Sequence, residues 1–397
     1  MSKPSERIQK LSESATLAMA RKSQELKSKG LDVISLSLGE PDFETPEVIK
    51  TAAKLAIDEN FSHYTPVPGL LSARKAICSK FKRDNNLNFS PEQIVISTGA
   101  KQSITNICLS LINKNDEVIL PAPYWVSYLD IVKLAEGNPV IVKSSINKDF
   151  KVTAKEIKEK ITHKTRLIIF SSPCNPSGSV YSEKELREIA DVLLDYPNIY
   201  ILSDEIYEHI NFTTDHFSIG SIEKIKDRVI TVNGVSKGFA MTGWRVGFMG
   251  GPKWLANACN KIQGQTTSAT CAISQKATEQ AMKENPKITR PMKDIFLSRR
   301  DLLLKELSKI NGIICNKPQG AFYLFPDVSF YYGKKDNENV IKDSESLCLY
   351  LLEKCLVALV PGSAFGNPEC IRISYATSEK NLKKAVKRIK KQLEHLS

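Results

Sequence analysis

The centre of the chain carries the segment Asn233-Gly-Val-Ser-Lys237-Gly-Phe-Ala-Met-Thr-Gly-Trp-Arg245. An apolar run at 229–232 precedes it and predicts a strand, so Lys237 lies in a turn of small residues just beyond that strand. Arg245 adds a second fixed cation to the same segment. A lysine in such a turn can form a Schiff base with a carbonyl group, whereas a lysine taken alone is usually a solvated surface charge. Whether Lys237 is a Schiff-base lysine or an ordinary surface lysine therefore depends on the residues around it.

Seven apolar runs predict strands, and helical patterns alternate with them from about residue 46 onward. The runs lie at 94–97, 117–120, 140–142, 167–170, 199–202, 229–232 and 246–249. Several are continuously apolar and bounded by polar turns, which is typical of a mostly parallel sheet covered by helices on both faces. The predicted fold class is therefore α/β. In such sheets ligands bind beyond the carboxyl ends of the strands.

The pattern changes after about residue 290. A long charged helix at 290–310 leads to a strand at 320–325, a helix at 344–355, strands at 357–360 and 370–375, and a basic C-terminal helix. This predicts a smaller α+β domain, and because the strand at 31–37 is expected to join it, that domain is discontinuous. The predicted division is residues 1–45 as N-terminal arm and part of the small domain, 46–290 as the large domain and 291–397 as the small C-terminal domain.

Composition limits the class of protein. The 397 residues are 42% hydrophobic and 25% charged, which is a globular composition with length for two domains. The nine cysteines form no CxxC pair, the N-terminus lacks an apolar signal region, and no run of about 18 apolar residues exists. We therefore expect a cytoplasmic protein without membrane contact. Neither the cysteines nor the five histidines have metal-site spacing, so no metal is predicted.

Lysine and arginine exceed aspartate and glutamate by 56 − 44 = 12. Much of this excess lies in the last helix, around an apolar stripe of Leu382, Val386, Ile389 and Leu393. We interpret its basic side as a solvated face, with anion binding as the alternative. No helix-turn-helix or aromatic-rich basic surface is visible, so no nucleic-acid partner is expected.

Polar residues follow two of the predicted strands. Asp204 ends the strand at 199–202, and a buried carboxylate there is costly unless it is paired. A protonated pyridine nitrogen would pair it, and Tyr207 could reach the phenolic oxygen of the same ring; a helix N-cap or a structural ion pair is the alternative. Asn175 follows the strand at 167–170 in a turn with two prolines and a glycine. It is either a fixed donor to that phenolic oxygen or part of a structural turn.

Three further sites have both a functional and a structural interpretation. Gly99 and Ala100 form a tight turn between a strand and a helix, where backbone N–H groups could bind a phosphate or where glycine serves packing alone. Trp125 follows a strand and could stack on a planar ring or fill a core. Arg372 lies between apolar residues on a strand and could bind a carboxylate with two bonds or face solvent.

A Schiff-base lysine, an acid for a pyridine nitrogen and an arginine for a phosphate are together what pyridoxal phosphate chemistry needs. Along nearly its whole length the chain resembles the class I pyridoxal-phosphate-dependent aminotransferases of fold type I, closest to the bacterial aspartate aminotransferase subgroup called Ib or 1γ. The resemblance rests on Ser14-Ala-Thr16, Leu38-Gly-Glu-Pro-Asp-Phe43, His63-Tyr-Thr-Pro-Val-Pro-Gly69, Pro123-Tyr-Trp-Val-Ser-Tyr128, Ser203-Asp-Glu-Ile-Tyr-Glu208 and Ala240-Met-Thr-Gly-Trp-Arg245.

The resemblance implies a role for each candidate residue. Lys237 is expected to bind the cofactor covalently and to move the substrate proton, while Asp204 pairs with the ring nitrogen. The remaining cofactor contacts implied are Asn175 and Tyr207 at the phenolic oxygen, Trp125 on the ring, and Gly99, Ala100, Lys101, Ser236 and Arg245 around the phosphate. Tyr64 is expected to reach the phosphate from the other subunit of a homodimer.

Gly39 and Arg372 are implied for the substrate α-carboxylate, next to Trp125 and Asn175. For a distal carboxylate, the subgroup uses a lysine in the phosphate-loop segment; Lys101 matches it, with Thr16 nearby. The chain departs from many relatives at Gly234, where they carry a serine that donates to the phosphate.

The implied activity is ping-pong transfer of an amino group from L-aspartate to 2-oxoglutarate. The alternative within the family is an aminotransferase of broader specificity that takes aromatic acids or prephenate with glutamate. A pyridoxal phosphate lyase or synthase on the same fold is more distant. A ligand-sensing regulator would carry an N-terminal DNA-binding module, and only about 45 residues precede the large-domain pattern here.

Overall fold

The structure is a computed structural model that describes residues 4–213 and 216–397. Its strands are β1 Ile34–Ser35, β2 Ile94–Ser97, β3 Glu117–Ala122, β4 Asn138–Lys143, β5 Thr165–Ser171, β6 Tyr200–Asp204, β7 Val229–Gly234, β8 Gly247–Gly250, β9 Tyr323–Leu324, β10 Lys335–Asp336, β11 Asn339–Val340, β12 Val357–Ala358, β13 Val360–Pro361 and β14 Ile371–Ser374. Its helices are α1 Glu6–Gln9, α2 Ala15–Ser28, α3 Glu47–Asp58, α4 Leu71–Asn85, α5 Ala100–Leu111, α6 Ser127–Leu134, α7 Ala154–Lys158, α8 Glu183–Leu194, α9 Lys253–Thr266, α10 Ala272–Lys283, α11 Arg290–Leu307, α12 Ser344–Cys355 and α13 Glu379–Leu393.

The central sheet has seven strands in the order β2-β8-β7-β6-β5-β3-β4. Strand β8 pairs antiparallel with β2 and β7, and every other neighbouring pair is parallel. All residues of β2, β7 and β8 are buried because helices cover both faces of the sheet. The sequence prediction of a mostly parallel seven-stranded α/β sheet is confirmed.

The smaller sheets belong to a second layer of structure built mainly from the C-terminal part of the chain. Strands β13, β14 and β9 form an antiparallel sheet, while β1 pairs parallel with β12. Their core contains Phe296, Phe322 and Leu382, contributed by α11, the segment before β9, and α13. Because β1 comes from the N-terminal region, the small domain is discontinuous.

Three strand predictions in this region need correction. The run at 320–325 forms a strand only at Tyr323–Leu324, because the Ala321 N–H donates instead to the carbonyl of Ile210 at 2.7 Å. The run at 357–360 divides into β12 and β13, which pair with different partners, β1 and β14. The predicted strand at 31–37 is likewise limited to Ile34–Ser35.

The last helix buries the apolar stripe predicted from its sequence. Leu382, Val386, Ile389 and Leu393 are buried, and Lys383, Lys387, Lys390 and Lys391 are exposed. Lys384 and Arg388 on the same helix bind the Asp32 carboxylate at 2.6 and 2.5 Å, which ties α13 to the segment before β1. In the part of the chain that the structure describes, no helix is long and apolar enough to cross a membrane.

Candidate active site

A cavity of about 240 Å³ lies beyond the carboxyl ends of β5, β6 and β7. The N-terminus of α5 and the start of α2 border it, and β14 of the small domain supplies Arg372. Adjacent parallel strands end at the same edge of a sheet, so the residues that follow them converge there. Residues far apart in sequence thus meet in one pocket at the junction of the large sheet and the small domain.

Lys237 lies at the floor of this cavity, in the turn after β7. Its ammonium donates to the carbonyl of Gly39 at 2.5 Å. Burial lowers the pKa of Lys237 to about 8; the nearby Glu40 carboxylate opposes this shift, and Arg372 and Arg245 add to it. A lysine with such a pKa is neutral in a useful fraction of molecules near neutral pH, which a nucleophile or base requires.

Asp204 ends β6 and is 5% exposed. Its carboxylate accepts hydrogen bonds from the Tyr128 hydroxyl at 2.6 Å and from the Ile206 N–H at 3.3 Å. Burial raises the pKa of Asp204 to about 6, although the Tyr128 hydrogen bond lowers it. Because both partners are uncharged, the carboxylate has no salt bridge among the described residues and is suited to a cationic group of a ligand.

The N-terminus of α5 and Arg245 form a concave, electropositive corner. The first N–H groups of a helix lack intrahelical partners and attract anions. Gly99 precedes the helix, and a Cβ built there would lie 2.5 Å from Nη2 of Arg245, so the guanidinium packs directly over that glycine. Arg245 itself has a left-handed φ of 56° and donates from Nη1 to the Thr242 carbonyl at 2.8 Å. Together with Ser236 on the cavity wall, these groups fit a phosphate.

Arg372 and Asn175 contact each other across the cavity. Arg372 is 2% exposed and donates from Nη1 to the Asn175 side-chain oxygen at 2.9 Å and from Nη2 to the Ser37 carbonyl at 2.5 Å. Since the amide oxygen of Asn175 accepts this bond, its nitrogen is left as a donor. Burial lowers the pKa of Arg372 without neutralising it, so the cavity contains a fixed cation for a carboxylate. The solvent-exposed alternative for Arg372 is excluded.

Lys101 and Trp125 line the opposite side. The Lys101 ammonium lies 5.0 Å from the centre of the Trp125 ring, and burial together with Arg245 lowers its pKa. Thr16 and Gly39 also line the cavity, and the Thr16 hydroxyl is 3.5 Å from Nη2 of Arg372. Besides Lys237 and Arg245, the cavity lining therefore contains two further basic side chains, Lys101 and Arg372.

The structure brings almost all of the predicted site residues to this cavity. Its lining includes Thr16, Gly39, Ala100, Lys101, Trp125, Asn175, Asp204, Tyr207, Ser236, Lys237, Arg245 and Arg372. Gly99 lies beside it under Arg245 rather than on its wall. Tyr64 is 100% exposed and is not part of the lining, so it does not meet the others within one chain.

Two tyrosines of the site were not predicted from the sequence. Tyr128 binds Asp204, and Tyr323 lies with its hydroxyl oxygen 2.8 Å from that of Tyr207. Tyr323 also explains why position 39 is a glycine, because a Cβ there would come 2.1 Å from the Tyr323 hydroxyl. Tyr128 falls three positions after Trp125, about one helical turn, which is a signal that could have identified it. No comparable signal exists for Tyr323.

The structure also explains why position 234 is a glycine. A Cβ there would lie 2.9 Å from the carbonyl oxygen of Val246 and 3.0 Å from the Cα of Gly247 on the neighbouring strand. A serine at this position would force the two strands to shift. Ser236, Arg245 and the N-terminus of α5 remain as the groups at this corner that could bind a phosphate.

The fold and the cavity together define a pyridoxal-phosphate-dependent enzyme of fold type I. The donor set fits the cofactor, since a lysine of lowered pKa, a buried carboxylate without a salt bridge and an anion-binding helix terminus surround one space. The comparisons with known proteins agree. The family model described as aminotransferase class I and II matches residues 31–389. The chain belongs to this family, and its cofactor is pyridoxal 5′-phosphate.

Individual relatives cover the chain almost completely. It is 47% identical over 394 residues to a bifunctional aspartate aminotransferase and glutamate/aspartate-prephenate aminotransferase of Petunia hybrida, with 98% of this chain and 82% of the relative covered. It is 45% identical to an aspartate/prephenate aminotransferase of Nitrosomonas europaea, with 98% of both covered. The crystal structure of the aspartate aminotransferase from Rhizobium meliloti matches with a TM-score of 0.96 and 41% identity over the whole of both chains.

Proposed function

We propose that the chain is an aspartate aminotransferase, which transfers the amino group of L-aspartate to 2-oxoglutarate in a ping-pong reaction and gives oxaloacetate and L-glutamate. The observation that carries the proposal is the position of Lys237, whose pKa is lowered to about 8 in a cavity that also contains Asp204 and Arg372. The names of the relatives above support aspartate as amino donor.

Each of the cavity residues has its own role in this reaction. Bound pyridoxal phosphate supplies a carbonyl carbon for the Lys237 amine and a ring that accepts electrons from the substrate α-carbon. The Lys237 amine would hold the cofactor and would carry the proton between the substrate α-carbon and C4′. Asp204 holds the proton on the ring nitrogen. Asn175 and Tyr207 donate to the phenolic oxygen, and Trp125 covers the ring face.

Substrate orientation depends on the two basic side chains Arg372 and Lys101. Arg372, with Gly39 beside it, binds the α-carboxylate, and Lys101, with Thr16 nearby, binds the distal carboxylate of a dicarboxylic acid. Support comes from their place on the lining of the same cavity as Lys237. Gly99, Ala100, Ser236 and Arg245 hold the phosphate.

We further propose a cytoplasmic homodimer in which Tyr64 of each protomer reaches the phosphate of the partner's site. Tyr64 is fully exposed and lies outside its own cavity, which supports this role. Within the protomer, we propose the division into residues 1–45, 46–290 and 291–397. Mixing a Tyr64→Ala variant with a Lys237→Ala variant tests the dimer: recovered activity in the mixture supports shared sites, and continued inactivity contradicts them.

The decisive experiment traps the amine. Protein reconstituted with pyridoxal phosphate is expected to turn yellow, and borohydride is expected to fix the cofactor to the peptide that contains Lys237. Lys237→Ala is expected to lose both the trapped adduct and turnover. Lys276→Ala, which changes a partly buried lysine outside the cavity, is the matched control and keeps both. Normal turnover in Lys237→Ala would refute the proposal.

The substrate is tested with aspartate and phenylalanine as amino donors to 2-oxoglutarate, and with prephenate, an oxo acid, as amino acceptor from glutamate. If Lys101 binds the distal carboxylate, Lys101→Ala lowers kcat/KM for aspartate by about tenfold or more and leaves phenylalanine little changed. Lys114→Ala, an exposed lysine outside the cavity, serves as control. Equal losses on aspartate and phenylalanine would exclude this role, and native activity greatest on prephenate or phenylalanine would favour the broader aminotransferase.

A further inference from the structure

A buried polar cluster lies directly behind the cofactor-facing side of β6. The turn after β6 alternates between two environments: Asp204 and Tyr207 border the cavity, whereas Glu205 and Glu208 point away from it into the protein. Glu205 and Glu208 are 1% and 7% exposed. Two contacts of the ring and two buried acids therefore share one short turn.

Two residues of α4 hold this turn from behind. Lys80, which is 1% exposed, forms a salt bridge with Oε1 of Glu208 and donates to the Asn85 side-chain oxygen at 2.5 Å. The Asn85 amide donates to Glu208 at 2.6 Å and to Glu205 at 3.3 Å. One helix thus binds both carboxylates of the turn.

The other side of Glu205 is held by hydroxyl groups and an imidazole. The hydroxyls of Ser203 and Ser218 donate to Oε1 at 2.9 and 2.7 Å, and Nε2 of His216 lies 3.0 Å from Oε2. Burial alone would lower the pKa of His216, but Glu205 raises it above its ordinary value, which favours the imidazolium. Lys80 and protonated His216 then balance Glu205 and Glu208.

The same atoms could be interpreted as a metal site, because one ligand atom each from Glu205, Glu208 and His216 lie within 4.8 Å of one another. The contacts among the described residues argue for an ion network instead. The Lys80 ammonium and the Asn85 amide both direct N–H groups at these carboxylates, and N–H donors cannot ligate a metal. Lys80 already supplies the cation that the acids need.

We propose that Lys80, Asn85, Glu205 and Glu208, completed by His216, form a positioning network that fixes Asp204 and Tyr207 at the cofactor ring. The proposal rests on the proposed function, since it takes Asp204 and Tyr207 as the ring contacts. Displacing this turn moves the partners of the ring nitrogen and the phenolic oxygen together. It leaves Arg372 and Lys101, which belong to other elements, where they are.

The charged and titratable groups that face the network come from three segments. They are Lys80, Arg83 and Asp84 of α4, Asp204, Glu205, Glu208 and His209 around the turn after β6, and His216. A substitution at any one of these residues changes the electrostatic environment of the others. The chosen variants therefore act on the Lys80–Glu208 pair, which links α4 to the turn.

The test uses Glu208→Gln, which keeps the shape and removes the charge, and the double variant Lys80→Met/Glu208→Leu, which replaces the pair by apolar groups. Each is purified as apoprotein and titrated with pyridoxal phosphate, and the absorbance of the bound cofactor is recorded against pH. We expect the Kd for the cofactor to rise about tenfold in both and the absorbance titration to shift. The kcat falls, while the KM for 2-oxoglutarate stays within about twofold.

The double variant separates positioning from folding. An apolar pair restores packing, so its thermal midpoint is expected to approach that of the native protein while its cofactor affinity stays weak. Glu279→Gln is the matched control, because Glu279 is also a buried carboxylate held by two lysines, Lys276 and Lys283, but lies outside the cavity. Its cofactor titration is expected to match the native one.

Three outcomes overturn the inference. Native cofactor affinity and spectrum in Glu208→Gln would show that the charge network does not position the ring contacts. Full recovery of affinity in the double variant would reduce the network to a packing role. An equal loss in Glu279→Gln would make the effect unspecific. Failure of the native chain to bind pyridoxal phosphate would refute the proposed function and is recognised before any variant is measured.

Discussion

Two carboxylates on the same turn have pKa values that are shifted in opposite directions. Asp204 and Glu208 are both more than nine-tenths buried, yet burial raises the pKa of Asp204 to about 6, whereas the pKa of Glu208 is held well below its ordinary value despite burial. The Lys80 ammonium and two histidines face Glu208, whereas among the residues that the structure describes only a tyrosine hydroxyl and a backbone N–H bind Asp204. The difference lies in the partners rather than in the depth of burial.

The lysines of the two regions differ in the same way as the two acids, namely in the charged groups around them. Lys80 is buried against Glu208, while burial, with smaller contributions from Arg372 and Arg245, lowers the pKa of Lys237 to about 8. A buried charge without a counter-ion costs stability. The network behind β6 matches its charges within the chain, and the cavity leaves them unmatched for a ligand. The two acids of the turn accordingly differ in the direction of their pKa shifts, which is upward for Asp204 and downward for Glu208.

The largest expected effect comes from removing the unmatched acid. Asp204→Asn cannot keep a proton on the ring nitrogen electrostatically, so kcat/KM for aspartate is expected to fall by roughly 10³-fold. In the apoprotein the same change is stabilising near pH 7. The folded pKa of about 6 lies above the value of 3.8 for an aspartate in the unfolded chain, so the native protein carries a free-energy penalty above pH 6 that disappears below pH 3.8.

Urea unfolding of the apoproteins checks the sign. We expect Asp204→Asn to gain about 2 kcal/mol at pH 7 and little at pH 4. Glu208→Gln is the control on the same turn, and it is expected to lose stability at pH 7 because it breaks the pair with Lys80. If both variants shift the free energy of unfolding in the same direction, Asp204 and Glu208 do not differ in the way proposed, one as an acid without a counter-ion and the other as an acid paired with Lys80.

A second, smaller effect concerns the lysine of the cavity. Lys237→Met is expected to stabilise the apoprotein by about 2 kcal/mol at pH 7, because the native ammonium is partly desolvated; this allows for its partial exposure. The folded pKa of about 8 lies below the value of 10.5 for a lysine in the unfolded chain, so the free-energy penalty in the native protein is full below pH 8 and vanishes above pH 10.5. The advantage of the variant should therefore shrink across this interval.

The measurement is urea unfolding at pH 7, 9 and 10.5, with the free energies of variant and native apoprotein compared. Lys80→Met provides the opposite case and is expected to be destabilised, because it leaves Glu208 buried without its cation. A Lys237→Met protein that is less stable than native at pH 7 would contradict the assignment of an unmatched cation to the cavity.

The sequence predicted the parts of the site that the sheet itself determines. Lys237, Asp204 and Asn175 follow neighbouring parallel strands, and the apolar runs that identify those strands are continuous because both faces of the sheet are buried. Parallel pairing brings such residues together without knowledge of any side chain. The fold class and the floor of the cavity therefore follow from local pattern.

Other parts depend on contacts that no local pattern encodes. Arg372 and Gly39 come from the small domain and the N-terminal region, and only resemblance to a family placed them at the site. Tyr323 and Lys80 were missed, because a tyrosine on a two-residue strand and a lysine within a helix have no distinguishing periodicity. Their roles appear only once distant segments lie next to each other.

The smallest of the expected effects concerns a single hydrogen bond to Asp204. Tyr128→Phe removes the 2.6 Å bond to Asp204, which is one of the groups that keep its pKa from rising further. The carboxylate then becomes harder to ionise, so the acidic limb of the kcat/KM profile is expected to move to higher pH and activity at pH 6 to fall about tenfold. Activity at pH 9 should change less. Tyr350→Phe, which alters a partly buried hydroxyl outside the cavity, is the control. A uniform loss at all pH values would mean that Tyr128 acts by packing and that the ionisation of Asp204 does not depend on it.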